Sequence, residues 1–277
     1  MRRDDVAVVI VSTSHDSLAP VAMAALEAGK HVLVEKPGAR SHDELAPVAA
    51  AARRQGRVAA AGYTHRFHPA LQRARALLRA GSVGELTTIR ARYGHGGRSG
   101  YESEWRCDPF RAGGGELLDQ GVHLLDLARW FGGDWRLRAA HLPTAYWPAP
   151  VEDNAFLLLE GPGRTAWLHA SWTEWKNLFS FEVFGREGKL QVDGLGGSYG
   201  PERLTLHRMT PAMGPPQTTE WAYAEEDLSW RHEFAAFLEA VAGRPSDVAT
   251  LDDALAVLRL AGEAYAQAQR PRGETLA

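Results

Sequence analysis

The chain is expected to fold as α/β plus α+β, with a partial doubly wound parallel sheet first and a domain with a large, mostly antiparallel sheet after it. This expectation rests on three features. Residues 5 to about 82 alternate short β-branched runs with helical stretches, the grammar of a doubly wound sheet. After Gly84 that alternation gives way to one helical block and a series of strand-like runs separated by turn residues such as Gly161-Pro162-Gly163. The length, 277 residues, is long for one compact domain and comfortable for two of ~100–200 residues.

The elements follow in order. The run Val6 to Val11 is apolar on both faces, as a buried parallel strand must be. A helix from about Ser17 to Ala28 is stopped by Gly29, and His31 to Val34 forms a second strand ending in the polar Glu35-Lys36-Pro37. Ser41 and Glu44 make a capping box for a helix that runs to about Gln55. Arg57 to Tyr63 is a third strand, and Pro69 to Ala80 a third helix closed by Gly81. The second part opens with a strand at Leu86–Tyr93 and carries the helical block Glu116–Phe131. Strands at Arg136–Leu142, Asn154–Glu160, Thr165–Trp172, Phe179–Phe184, Lys189–Val192, Arg203–His207 and Thr218–Tyr223 complete its sheet. Two helices, about Trp230–Ala242 and Leu251–Ala268, close the chain. The expected division is 1–84, 85–250 with the helix 116–131, and a C-terminal helix in 251–277 that packs back on the first part.

Composition excludes several classes of function. With 45% hydrophobic and 23% charged residues the chain has the make-up of a folded protein with a sizeable core. A net charge of −3 offers nothing to attract nucleic acid or an anionic membrane, so a small-molecule partner is expected. The basic Met1-Arg2-Arg3 is followed at once by Asp4 and Asp5, which argues against a signal peptide, and no apolar run approaches the ~18–20 residues of a membrane span. Cys107, the single cysteine, can form neither an internal disulfide nor a zinc site, which fits the cytoplasm. No metal site is expected.

Three polar side chains stand where polar groups need a reason. Lys36 lies at the carboxyl end of a strand, the rim where open α/β sheets bind ligands. Asp119 and His123 are four apart on a helix and so share a face, which Asp126 extends. Taken alone, a solvated lysine and a surface Asp–His pair would explain them. Gly113-Gly114-Gly115 shifts the balance, because three glycines entering a helix permit close approach of another backbone or a ligand.

These residues sit inside longer motifs. Asp5 to Thr13 (D-V-A-V-V-I-V-S-T), Ala25 to Pro37 (A-L-E-A-G-K-H-V-L-V-E-K-P) and Gly62 to Pro69 (G-Y-T-H-R-F-H-P) stand in the first part. Trp105-Arg106 and Gly113 to Asp126 (G-G-G-E-L-L-D-Q-G-V-H-L-L-D) stand in the second. In order and spacing they resemble the Gfo/Idh/MocA oxidoreductases, the relatives of glucose-fructose oxidoreductase and inositol 2-dehydrogenase, and the resemblance runs to the C-terminus.

The resemblance implies an NAD(P)-dependent enzyme that transfers a hydride to or from a carbinol of a sugar, cyclitol or nucleotide sugar. It assigns catalysis to Lys36, Asp119 and His123. Histidine suits the base that takes the hydroxyl proton, lysine the developing alkoxide, and Asp119 can orient the imidazole or hold a neighbouring hydroxyl. Cofactor contacts carry over to Ser12, Thr13, Glu35, Lys36, Arg66, Trp105 and Arg106. Ser14, His15 and Leu18 depart from the family's pattern after the same strand, so His15 is expected to cap or turn the chain. The family's open sheet implies a homo-oligomer.

The loop Tyr93 to Trp105, rich in glycine, donors and rings, lies between a sheet strand and the triglycine helix. It is expected to line the substrate pocket through His95, Arg98 and Tyr101, with Arg98 suited to a carboxylate or phosphate.

One departure is larger. No G-x-G-x-x-G separates the first strand from its helix, where Ser12-Thr13-Ser14-His15 stands instead. The first part therefore corresponds to strands four to six of the full dinucleotide-binding fold, the front of which is expected to be missing, with Val6–Val11 left as an apolar edge. The alternative function is accordingly a truncated, non-catalytic member that binds a ligand or serves in assembly. NAD and NADP are not distinguished, because the residue that reads the ribose belongs to the missing front.

Overall fold

The computed structural model describes residues 3–212, 214–223 and 226–268. The first part is a four-stranded sheet. Strands β1 (Val8–Val11), β2 (His31–Glu35) and β3 (Ala59–Gly62) run parallel in that order. Helices α1 (His15–Glu27) and α2 (His42–Arg54) connect them, and α2 begins at the expected cap, where the Ser41 hydroxyl accepts from the Glu44 N–H. Strand β2 is buried on both faces for a plain reason. Val32 and Val34 point into the main core, while Leu33 joins a second cluster with Ala60, Phe67, Phe237 and Val248. Strand β1 pairs with β2 alone among the described residues, and its Ile10 is 56% exposed.

Behind β3 come a 3-10 turn, Thr64–Phe67, and α3 (Pro69–Arg79). The second sheet follows, with β4 (Leu86–Gly94), β5 (Arg136–His141), β6 (Asn154–Gly161), β7 (Arg164–Ser171), β8 (Leu178–Gly185), β9 (Gly188–Asp193), β10 (Glu202–Arg208) and β11 (Gln217–Tyr223). Their order is β11-β10-β9-β8-β4-β7-β6-β5. Every neighbouring pair is antiparallel except β4 and β7, so the first strand of this part is inserted in the middle of a sheet that is otherwise a meander. Alternate residues such as Ile89, Leu157, Leu168, Phe181 and Leu190 build its inner face into the main core.

The long helical block departs from expectation. A short α4 (Pro109–Ala112) precedes the glycines, and Leu117–Gly121 is a π turn that passes into α5 (Val122–Gly132). The glycines are needed for backbone approach. A Cβ at Gly115 would lie 2.0 Å from the Glu152 carbonyl oxygen, one at Gly114 2.0 Å from the Tyr265 hydroxyl, and one at Gly113 2.5 Å from Arg40 Cβ. The Glu152 carboxylate then accepts from the N–H groups of Gly115 and Leu117 at 3.1 Å, capping a helix start that has no local cap.

Elements before residue 250 also meet the first part. Helix α6 (Ser229–Val241) packs Phe237 against the small sheet, and β12 (Ala249–Thr250) pairs antiparallel with β3. The return to the first part thus begins some twenty residues before α7 (Leu251–Ala268), because the face of β2 opposite α1 and α2 needs an apolar cover.

Candidate active site

A cleft of about 560 Å³ opens at the carboxyl rim of the small parallel sheet and is walled on its other side by the second sheet. Strand β2 delivers Glu35 and Lys36, the turn after β3 delivers Thr64, His65 and His68, and the π turn with the start of α5 delivers Asp119, Gln120 and His123.

Lys36 reaches across the chain to Asp119. Its ammonium donates to the Asp119 backbone carbonyl and, at 2.8 Å, to Asp119 Oδ1. A π turn breaks the regular helical ladder, and here it falls on the residue whose carbonyl and carboxylate both accept from Lys36. Burial pushes the Asp119 carboxyl up, but Lys36 and then Arg106, whose Nε is 3.5 Å away, outweigh it and hold the carboxyl well below its ordinary range. Asp119 is therefore an anion committed to two cations. It does not orient the His123 ring, as the four-residue spacing had suggested.

His123 is buried in a cage of rings. Burial first, then Lys36 and His68, push its pKa well below the ordinary histidine value, so the imidazole rests neutral. Its Nδ1 is buried without a hydrogen-bond partner. Tyr63 and Tyr93 meet the ring edge-on, and His65 lies against it at 3.9 Å between centroids with the planes 21° apart. Lys36, Asp119 and His123 all line the one cleft.

The loop after β4 is placed on the same cleft. His95 Nδ1 accepts from the Gly97 N–H, which leaves the hydrogen of the neutral ring on Nε2 as a donor. Tyr101 packs edge-on against His95. Arg98, 72% exposed at its side chain, is held by Glu104 at 2.6 Å, and Glu104 also faces Arg106 at 3.5 Å. Charges of alternating sign thus run from the mouth to the floor, in the order Arg98, Glu104, Arg106, Asp119, Lys36.

Other expected positions fall elsewhere. Arg66 is withdrawn from the cleft, because it makes a buried bidentate pair with Asp126 at 2.5 and 2.8 Å between the turn after β3 and α5. Trp105 backs Arg106, whose guanidinium lies 4.8 Å over its ring, and does not line the cleft. Ser12 and Thr13 are exposed at the carboxyl end of β1, on the same rim. His15 is neither a cap nor a turn residue. Its Nδ1 lies 2.9 Å from the Ala112 carbonyl and its ring is edge-on to Trp105, so it ties α1 to the second part, and burial depresses its pKa to about 4.

Sequence reading passed over His65, His68, Gln120, Tyr199, Asp227 and Trp230, all of which line the cleft. The two histidines stood inside the G-Y-T-H-R-F-H-P motif. Tyr199, which receives a hydrogen bond from Gln120 at 3.1 Å, was signalled only by the glycines around it, from Gly194 to Gly200.

Comparison with known proteins matches both parts of the chain. Residues 1–63 match the oxidoreductase family with an NAD-binding Rossmann fold, and residues 71–191 match the GFO/IDH/MocA C-terminal domain. The chain is 32% identical to dTDP-3,4-didehydro-2,6-dideoxy-alpha-D-glucose 3-reductase of Streptomyces violaceoruber, across 94% of this chain and 76% of that protein. It is also 32% identical to levoglucosan dehydrogenase of Pseudarthrobacter phenanthrenivorans, where the match spans 54% of this chain and 39% of that one. Its fold superposes on aldose-aldose oxidoreductase from Caulobacter crescentus, complexed with glycerol, with a TM-score of 0.83 and 27% identity, across 96% of this chain and 78% of that one. Among the described residues no helix is long and apolar enough to cross a membrane.

Proposed function

Because the chain belongs to the Gfo/Idh/MocA oxidoreductase family, we propose that it transfers a hydride between NAD or NADP and a carbinol carbon of a sugar, cyclitol or nucleotide sugar. The observation that carries this reading is the convergence of Lys36, Asp119 and His123 on one cleft at the sheet rim. The names of the relatives, a nucleotide-sugar reductase and a sugar dehydrogenase, support the substrate class.

The rim suits a nicotinamide nucleotide. Ser12 and Thr13 offer exposed hydroxyls, and Glu35 a half-buried carboxyl whose pKa is raised by its partial burial. With Lys36 and Arg106 these residues would hold the cofactor, which when bound gives or takes the hydride. The remaining work falls to the chain. His123 takes the hydroxyl proton in oxidation and returns it in reduction. The Lys36 ammonium stabilises the oxygen as it gains negative charge, and Asp119 holds that ammonium in place. His95 and Tyr101 place donors against further hydroxyls. The outer face of the large sheet, where half-buried Phe156 stacks on His169 at 4.0 Å beside Leu158 and Trp167, is the surface we assign to a homo-oligomer.

Fluorescence titration with NADH and NADPH, followed by turnover across a panel of sugars, sugar acids, cyclitols and nucleotide sugars, tests the reading. Saturable dinucleotide binding with turnover of at least one compound is expected. A chain that binds neither dinucleotide, or binds one and oxidises or reduces nothing, would favour the non-catalytic ligand-binding or assembly role.

A further inference from the structure

We propose that His65 is a positioning residue that sets the orientation and proton affinity of His123 by stacking, a task usually given to a carboxylate on the far ring nitrogen. The inference rests on the hydride-transfer reading only in calling His123 the base.

Three observations converge on it. The carboxylate that spacing had offered to His123 is bound instead to Lys36 and Arg106. Among the described residues no other group takes its place, since His123 Nδ1 is buried and has no partner there. What does touch the ring is His65, nearly parallel to it and at van der Waals distance. Further rings surround His65 in turn. Tyr93, His68 and Phe179 meet it edge-on at 5.0, 5.6 and 5.8 Å, and both of its nitrogens are buried and unpartnered. A side chain with two unsatisfied nitrogens is an expensive way to fill apolar space, and leucine would fill it without that cost but also without a flat ring to lie on His123.

The stack explains how a general base can be fixed without a hydrogen bond. The Tyr63 and Tyr93 edges and the His65 face leave the His123 ring no room to rotate about its long axis, so its Nε2 stays toward the cleft. The same plate excludes water from Nδ1, which disfavours the imidazolium. The titratable groups facing His123 from the packed elements are Lys36 after β2, Tyr63 at the end of β3, His65 and His68 in the turn that follows, and Tyr93 on β4. Of these, Lys36 and His68 also disfavour its protonation by charge repulsion.

The test uses the full chain with isotopically labelled histidine, the His123 signal being assigned by its loss in His123→Gln. In His65→Ala the NMR titration midpoint of His123 is expected to rise by roughly one unit or more as water reaches Nδ1. His65→Phe keeps the plate and is expected to leave the midpoint within about 0.3 units of the parent. With a turned-over substrate, His65→Ala is expected to lower kcat ~10–100-fold with KM changed less than ~3-fold, and to move the acid limb of the kcat profile with the midpoint. His65→Ser, which opens the same gap beside Nδ1, stands in if the alanine variant does not fold. An unchanged midpoint in His65→Ala or His65→Ser, or a phenylalanine variant as impaired as the alanine one, overturns the proposal. If no sugar is turned over, the oxidoreductase reading fails while the NMR midpoints still decide the role of His65.

Discussion

Asp119 and Asp126 lie seven residues apart on one helical run, and each receives a cation from the turn after a parallel strand, Lys36 from β2 and Arg66 from beyond β3. In sequence they read as one stripe. In the structure they do different work. The Arg66 and Asp126 side chains are 5% and 1% exposed, and burial lifts the Asp126 carboxyl against the pull of Arg66. At the other end Lys36 and Asp119 are 16% and 11% exposed at the cleft wall, and two cations overcome burial to hold Asp119 down. Two pairs of similar chemistry thus part company over what else they touch. One closes the seam between the two sheets, and the other holds a lysine at the wall of the cleft.

The contrast can be broken most forcefully at its catalytic end. His123→Ala is expected to cut kcat by ~10²–10⁴ while leaving the denaturation midpoint close to the parent's, since the base is lost and the seam is not. A loss of stability that accounts for the loss of turnover would place His123 with Asp126 instead. At the seam, Asp126→Ala leaves the buried Arg66 guanidinium to the more distant Asp253 carboxylate and Asp247 carbonyl, each at 3.4 Å, and is expected to cost up to about 3–5 kcal/mol of stability, measured by urea unfolding. Arg66→Met combined with Asp126→Leu should recover most of that loss, because both charges then leave together. A double variant no more stable than the single one would show that the pair supplies something beyond its own charge balance.

A carboxyl beside the seam sharpens the difference further. Glu233 on α6 is buried, has an unpartnered Oε1, and is pushed up to about 9 by burial, with Glu35 and Asp126 adding to it. Its folded pKa is raised, so its contribution to stability is full below the unfolded value of ~4.3 and falls away as pH rises toward the folded one. Glu233→Gln is therefore expected to stabilise the chain by about 1–3 kcal/mol at pH 7, with a gain that grows between roughly pH 5 and 9. A gain that does not change with pH over that window would mean that Glu233 is ionised in the folded chain. The smallest effect is expected at the cleft mouth. Arg98 is exposed and paired with Glu104, so Arg98→Ala should change KM for neutral sugars by less than ~3-fold, and a larger change confined to sugar acids or nucleotide sugars would restore its role as an anion contact.

Much of the architecture was legible because it rests on period and punctuation. Strand β2 reads as apolar on both faces and is buried on both, and all eight strands of the large sheet lie where alternation and turn residues put them. Lys36, Asp119 and His123, which line one cleft, were legible as parts of a motif. The roles inside the motif were less so. A spacing of four tied Asp119 to His123, but the π turn and the reach of Lys36 gave the aspartate to another partner. Arg66 carried the family's position and yet turned to Asp126, because the chain has a buried carboxylate there that would otherwise be uncompensated. The triglycine left open whether a backbone or a ligand came close, and the Glu152 carbonyl with the Tyr265 hydroxyl supplied the answer from residues 37 and 151 positions further on.

The two-part α/β architecture and the places of its strands follow from the sequence, because each depends on a local pattern, and the motifs marked Lys36, Asp119 and His123 as the residues to look for. The tertiary structure alone decided which carboxylate answers which cation, that β4 enters the middle of the large sheet beside β7, that α6 returns to cover β2, and that His65 lies flat on His123. Those outcomes hang on distances between residues dozens of positions apart. Contacts of that kind leave no period in the chain, and burial, which sets their electrostatics, exists only once the chain has closed around them.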